Sequence, residues 1–427
     1  MDEEVRVISS RPAIERCLVL VLLAASALAA CATLPPPSVG APAPSLSPSP
    51  APTASPSPSP AAPSPRPTPS KSPAPTAFGV CAARTLSSLT EAQRIGQLFI
   101  IGLIHDRLDS TERAAIAQYH FGSVTFTERT WAGVAAVRSV SDGVQELGTH
   151  KATGGVRFFI AANQEGGRIQ SLAGPGFDVI PSAVAQGTMS PAELEAKAER
   201  WARQLRIGGV NLDFAPVGDV VPVGTEDQNA PIGQLQREFG SEPAAVSAHV
   251  AAFVAGMAKV DIATTVKHFP GLGRVEGNTD FTAEVTDSVT TRSDPFIEPF
   301  RAAVEAHVPF VMVSLATYER IDPDHLAVFS PTVIDGMLRH DLGFRGVVIS
   351  DSLTAKAVSS IPAGTRAIDF LDAGGDMIIS NYSAPAIEMA QALASEVAAR
   401  PAFRERVSDA ALHVLRAKEA AGLLSCG

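Results

Sequence analysis

The chain has 427 residues, of which 45% are hydrophobic and 18% charged, and a formal net charge of −10. That composition suits a globular protein with a sizeable core and excludes a collagenous or wholly disordered chain. The acidic balance, without a basic stripe, excludes nucleic acid as a partner.

The chain opens with Arg6, Arg11 and Arg16 ahead of an apolar run from Cys17 to Leu28. A basic start, a short apolar centre and small residues after it predict a signal peptide over residues 1–30. The run is too short to span a bilayer comfortably. Leu28-Ala29-Ala30-Cys31 resembles a bacterial lipobox, which implies that Cys31 becomes the lipidated first residue of an exported protein. From Thr33 to Thr76 the chain is mostly Pro, Ala, Ser and Thr. Such a segment cannot bury a core, so residues 31–77 are expected to form a disordered, extended spacer. The lipid is the only membrane contact this pattern implies, and it places the domain on the outer side of the membrane.

Residues 78–427 remain for a globular domain, expected to act as a monomer. Of the four cysteines, Cys17 leaves with the signal and Cys31 takes the lipid. Cys81 and Cys426 stand at the two ends of the domain, as a disulfide or as two free thiols. Export favours the disulfide. There is no H-E-x-x-H or C-x-x-C, so neither a metal site nor a cofactor is expected.

Eight short apolar runs qualify as strands: Gln97–Leu103, Gly122–Phe126, Val156–Ala162, Val210–Ala215, Ala263–Val266, Phe310–Leu315, Gly346–Ser350 and Asp376–Ser380. Amphipathic stretches lie between them, among them Thr111–Gln118, Ala192–Ile207, Glu242–Lys259, Pro295–Ala306 and Thr332–Leu342. Ser190-Pro191 and Asp294-Pro295 read as cap and first-turn proline. Strand–helix alternation of this kind predicts a single (β/α)8 barrel. An open doubly wound sheet is the alternative, but no G-x-G-x-x-G follows the first strand.

Function in a barrel gathers where the strands end. Asn163-Gln164-Glu165-Gly166-Gly167-Arg168 follows the third strand, Asp213 lies near the end of the fourth, and Lys267-His268 follows the fifth, where a loop is expected to begin. Ser314 and Tyr318 follow the sixth, and Ser350-Asp351-Ser352 follows the seventh. Gly271 and Gly273 then allow a tight loop after Lys267-His268. Any one of these polar groups could be structural; together they predict a binding site. Asp351 ends an apolar strand, so its carboxylate must face the barrel mouth or be paired. A carboxylate there, with Lys267, His268, Arg168 and Arg237 as hydroxyl-binding donors, is the equipment of a retaining glycosidase.

K-H-F-P-G-x-G, E-G-G-R, N-L-D-F-A-P-V, R-E-F-G-x-x-P and G-V-V-x-S-D occur in this order. Together they resemble glycoside hydrolase family 3, more narrowly its bacterial β-N-acetylhexosaminidases, over nearly all of residues 84–426. The resemblance implies a (β/α)8 barrel, retention of configuration, no metal, and N-acetylglucosamine-containing carbohydrate such as peptidoglycan fragments. It implies Asp351 as nucleophile and Lys267, His268, Arg237 and Arg168 at the sugar. The chain departs from the family pattern at Asn163, Ser171, Leu272 and the triplet Asn278-Thr279-Asp280, where the family's Asp-Ser-His acid/base stands. Asp280 takes the place of that His and is the expected acid, on a glycine-rich loop expected to close over the sugar; Glu165 and Glu284 are the fallback donors. Asn163 and Asp213 are expected beside the substrate. A weak or inactive sugar-binding lipoprotein on a hydrolase scaffold is the competing reading, and a hydrolase of another glycan is the third.

Overall fold

Eight parallel strands close on themselves in the order of the chain. The computed structural model describes residues 79–425. The signal sequence, Cys31, the spacer up to residue 78, and Cys426 lie outside the described residues. The barrel strands are β1 (Phe99–Leu103), β2 (Ser123–Phe126), β3 (Phe159–Ala162), β4 (Leu212–Asp213), β5 (Ala263–Phe269), β6 (Phe310–Val313), β7 (Val347–Ser352) and β8 (Met377–Ser380). Each pairs with its chain neighbours, and β1 pairs with β8, Phe99 beside Ile378, to close the ring. The chain therefore folds as the expected (β/α)8 barrel.

All eight predicted runs contribute a strand, because each is apolar on both faces: one side fills the barrel and helices cover the other. Val347, Val348 and Ile349 are fully buried. The boundaries differ where function sits. Gln97 ends the helix Glu91–Gln97 and does not start β1. β5 runs on through Lys267 and His268, which were expected in a loop, and β7 runs on through Asp351. Pairing becomes irregular between Val266 and Phe269 and between Ile349 and Ser352. Such irregularities re-aim side chains that strict alternation would send elsewhere.

The helices follow the sequence signals closely. The Ser190 hydroxyl accepts from the Glu193 amide and starts Pro191–Ile207; the Asp294 carboxylate accepts from the Phe296 amide at the next such turn. Thr332–Asp341 winds with wider, π-type turns. At the amino-terminal end of the barrel Lys418, fully buried, donates to Gln97 Oε1, the Gly122 carbonyl and the Arg157 carbonyl. It ties the last helix, Pro401–Ala420, to the entries of the first three strands. Burial pushes its pKa well down. Cys81, in the first helix Val80–Ser88, is disulfide-bonded.

Candidate active site

The carboxyl ends of the strands surround a cleft of about 400 Å³. Lys267 and His268 enter it from β5, Asp351 from β7, Asn163 and Arg168 from the segment after β3, and Arg237 from the segment between β4 and β5. Phe214, Met312 and Ile379 supply apolar surface.

Glu165 organises the cations. It is buried, and its Oε1 lies 2.6 Å from Lys267 Nζ and 2.8 Å from Arg237 Nη2, while Oε2 accepts from Arg237 Nε at 2.8 Å. Burial alone would push the Glu165 pKa up; Arg237 and Lys267 outweigh it and hold it at about 2. Two cations thus hold Glu165 in its charged form, which suits an ion-pair partner better than the fallback proton donor. Glu284 is not one either: it lines a separate depression with Thr286 and Glu319.

Donor counting shows what is left for a ligand. Lys267 Nζ has three N–H groups; one faces Glu165 and another donates to Asn163 Oδ1 at 2.7 Å. The third is free to take a hydroxyl. Arg237 also donates through Nη1 to the Pro231 carbonyl at 2.8 Å. His268 Nδ1 donates to Asp219 Oδ2 at 2.7 Å, and its Nε2 lies 3.4 Å from Arg237 Nη2. Arginine has only donors, so whenever the ring is neutral Nδ1 carries the proton and Nε2 meets Arg237 as an acceptor.

Asp219 went unnoticed in the sequence. It is fully buried, and besides the His268 ring its Oδ1 accepts from the amides of His268 (3.1 Å) and Leu272 (2.8 Å). Its only sequence signal is a carboxylate directly after the apolar Ala215-Pro216-Val217-Gly218 run, which must find partners when buried. Gly273 matters for a reason other than flexibility: a Cβ there would fall 1.7 Å from the Val220 carbonyl oxygen. The loop after β5 is thus packed tightly against the loop after β4.

That loop is already seated. The amides of Lys356 and Ala357, just past β7, donate to the carbonyls of Asp280 and Thr279 at 3.2 and 3.0 Å. Asp280 lines the same cleft as Asp351, so the expected closure over the sugar is not needed to bring it in. Although Asp280 keeps an exposed face, burial on the cleft side raises its pKa, and the Asp351 charge raises it further; Arg237, His268 and Lys267 oppose this. Asp351 is partly exposed, and its Oδ1 takes the amide of Ser352 at 2.7 Å.

Three expected positions lie elsewhere. Asp213 does not line the cleft; it is fully buried and accepts the Gln164 amide at 2.9 Å. Burial pushes its pKa up to about 7, against the Gln164 amide and Lys267. It supports the segment that carries Asn163. Tyr318 donates to the Gly271 carbonyl at 2.8 Å and pairs with Ser314 at 3.0 Å, so both brace the loop after β5.

Residues 90–417 match the model of the glycosyl hydrolase family 3 N-terminal domain. The chain belongs to glycosyl hydrolase family 3. It is a glycoside hydrolase, and its family 3 barrel has well-matched relatives. The chain is 32% identical over 294 residues to a beta-hexosaminidase of Stenotrophomonas maltophilia (strain K279a), covering 66% of this chain and 82% of that one. It is 30% identical over 292 residues to a beta-hexosaminidase of Xylella fastidiosa (strain M12), with the same coverage. Among solved structures it superposes on the beta-N-acetylhexosaminidase from Beutenbergia cavernae DSM 12333 with a TM-score of 0.77 and 42% identity, covering 78% of this chain and 99% of that one. A family 3 beta-N-acetylglucosaminidase from Paenibacillus sp. str. FPU-7 gives a TM-score of 0.71 at 28% identity, covering 79% and 65%.

Proposed function

We propose that the protein is a retaining β-N-acetylhexosaminidase that releases terminal β-linked N-acetylglucosamine, with Asp351 as nucleophile and Asp280 as acid/base. The observation that carries this reading is the pair of carboxyl groups in one cleft, one of them with its pKa raised by burial and by the charge of the other. Of two carboxyl groups in one cleft, the one pushed up in this way suits the acid that donates, and the other is left to attack. Asp351 attacks the anomeric carbon while Asp280 gives its proton to the glycosidic oxygen, and the sugar–oxygen bond breaks. In the second half Asp280, now a carboxylate, takes a proton from water, whose oxygen attacks the same carbon and frees Asp351. Lys267 and Arg237 hold ring hydroxyls, and Glu165 pairs with both of them. The beta-hexosaminidase relatives support N-acetylglucosamine as the sugar.

Cell-wall peptidoglycan fragments are the substrates that fit an exported lipoprotein, and the lipobox-like Leu28-Ala29-Ala30-Cys31 is what supports that location. The competing reading, sugar binding without turnover, draws on Asn278-Thr279-Asp280 in place of the family's Asp-Ser-His. The raised pKa of Asp280 favours turnover. Incubation with a 2-fluoro glycoside, followed by peptide mass mapping, tests the mechanism. An adduct on the peptide containing Asp351, absent in Asp351→Ala, is expected; turnover at near-normal rate by Asp351→Ala would reject the assignment.

A further inference from the structure

Phe281, directly after Asp280, lines the cleft yet is 79% exposed. A ring this open leaves apolar area in water that a ligand could cover. Its segment is pinned: the amides of Phe281 and Thr282 both donate to the Asn278 carbonyl, at 3.0 and 2.8 Å, beside the grip of Lys356 and Ala357. β2 stands three strands from β5 around the ring, so the loop after it borders the cleft from another side. There Arg129 lines the cleft, with its guanidinium 5.0 Å from the centre of the Trp131 ring and its Nη2 3.3 Å from the Gly167 carbonyl. Among the described residues no carboxylate pairs with Arg129.

We propose that Phe281 and Arg129 are two walls of the leaving-group subsite, and that this subsite takes a second pyranose ring. The inference rests on the assignment of Asp280 as acid under Proposed function. The acid must lie against the glycosidic oxygen, so the leaving group lies on its side of the cleft, within reach of the next residue along the chain. A pyranose has an apolar C–H face that suits a phenyl ring, and hydroxyls along its edge that suit guanidinium N–H groups. A one- or two-atom leaving group would reach neither wall.

The test uses the full-chain protein and two substrates of the same sugar: the β-fluoride of N-acetylglucosamine, whose leaving group is a single atom, and N,N′-diacetylchitobiose. Phe281→Ala is expected to lower kcat/KM on the disaccharide about three- to tenfold, the range of one aromatic contact. The same variant should leave the fluoride within about twofold of wild type, and Phe281→Trp should restore the disaccharide. Arg129→Gln should also lose rate on the disaccharide alone. Equal losses on both substrates would mean that Phe281 only holds the Asp280 loop, and no loss on either would mean that it touches no substrate; both results overturn the subsite. Wild-type protein that turns over neither substrate would instead defeat the hexosaminidase reading, and with it the leaving group for which this subsite is built.

Discussion

Glu165 Oε1 lies 2.6 Å from Lys267 Nζ and 2.8 Å from Arg237 Nη2, so one buried carboxylate pairs with both cations of the cleft. Without it the cleft would hold two unpaired buried charges, which is costly. With it the two donors are held in place and still keep N–H groups to spare.

Glu165→Gln is therefore expected to cost about 3–5 kcal/mol at pH 7, the range for breaking a buried ion pair, with a large loss of kcat/KM. The pH sign follows from a folded pKa of about 2 against an ordinary 4.5. A depressed carboxyl pKa stabilises the fold above the unfolded value, and that stability is lost as pH falls through the folded one. The contribution is roughly 3 kcal/mol, fading between about pH 4.5 and 2. Urea unfolding of both proteins across this window checks it; an unchanged midpoint at pH 7 would contradict the role.

Asp213 works in the opposite direction. Its folded pKa of about 7 stands above the ordinary 3.8, so the fold prefers the protonated group. That preference is fully satisfied below about pH 4, and stability is lost as pH rises through 7, by up to roughly 4 kcal/mol. Asp213→Asn keeps an acceptor for the Gln164 amide and removes the charge. Its melting temperature should exceed wild type at pH 8 and converge with it near pH 3.5. Equal melting temperatures across that range would show that the carboxyl ionises freely.

Asp280→Ala should slow unactivated glycosides by about 10²–10⁴ and nitrophenyl glycosides far less, because a good leaving group needs no proton. Azide should restore part of the rate on the nitrophenyl substrate. In wild type kcat/KM should fall as pH rises through the raised pKa of Asp280 and it loses its proton; the variant should lack that limb. Matching losses on both substrates would remove Asp280 from proton transfer.

The bond at Cys81 is expected to join it to Cys426, the other end of the domain. A loop of that length would contribute roughly 4–5 kcal/mol through the unfolded chain. Non-reduced peptide mapping should recover the two cysteines in one cross-linked species, and Cys81→Ser should lower the melting temperature by several degrees. Two alkylatable thiols in unreduced protein would refute it.

Much of the barrel was legible because a strand buried on both faces leaves a short apolar run, and eight such runs recur from Phe99 to Ser380. Asp351 could be picked out because a carboxylate ending Val347-Val348-Ile349 has little choice but to face the mouth. Asp213 misled for the same reason: a carboxylate near a strand end looks functional, but pairing with β3 turned it toward the Gln164 amide. Ser314 and Tyr318 likewise serve the loop and not the ligand.

By itself the sequence determined the barrel, the order of the family motifs and the strand ends on which the site is built, since these follow from local hydrophobic pattern and local spacing. Only the tertiary structure decided how the site is charged. Arg237 meets Glu165 across 72 positions and His268 meets Asp219 across 49. Pairings of that span leave no periodic trace in the chain; they exist because barrel closure and the tight packing at Gly273 and Val220 bring the loops together in a space with little water, where each buried charge has to find its partner.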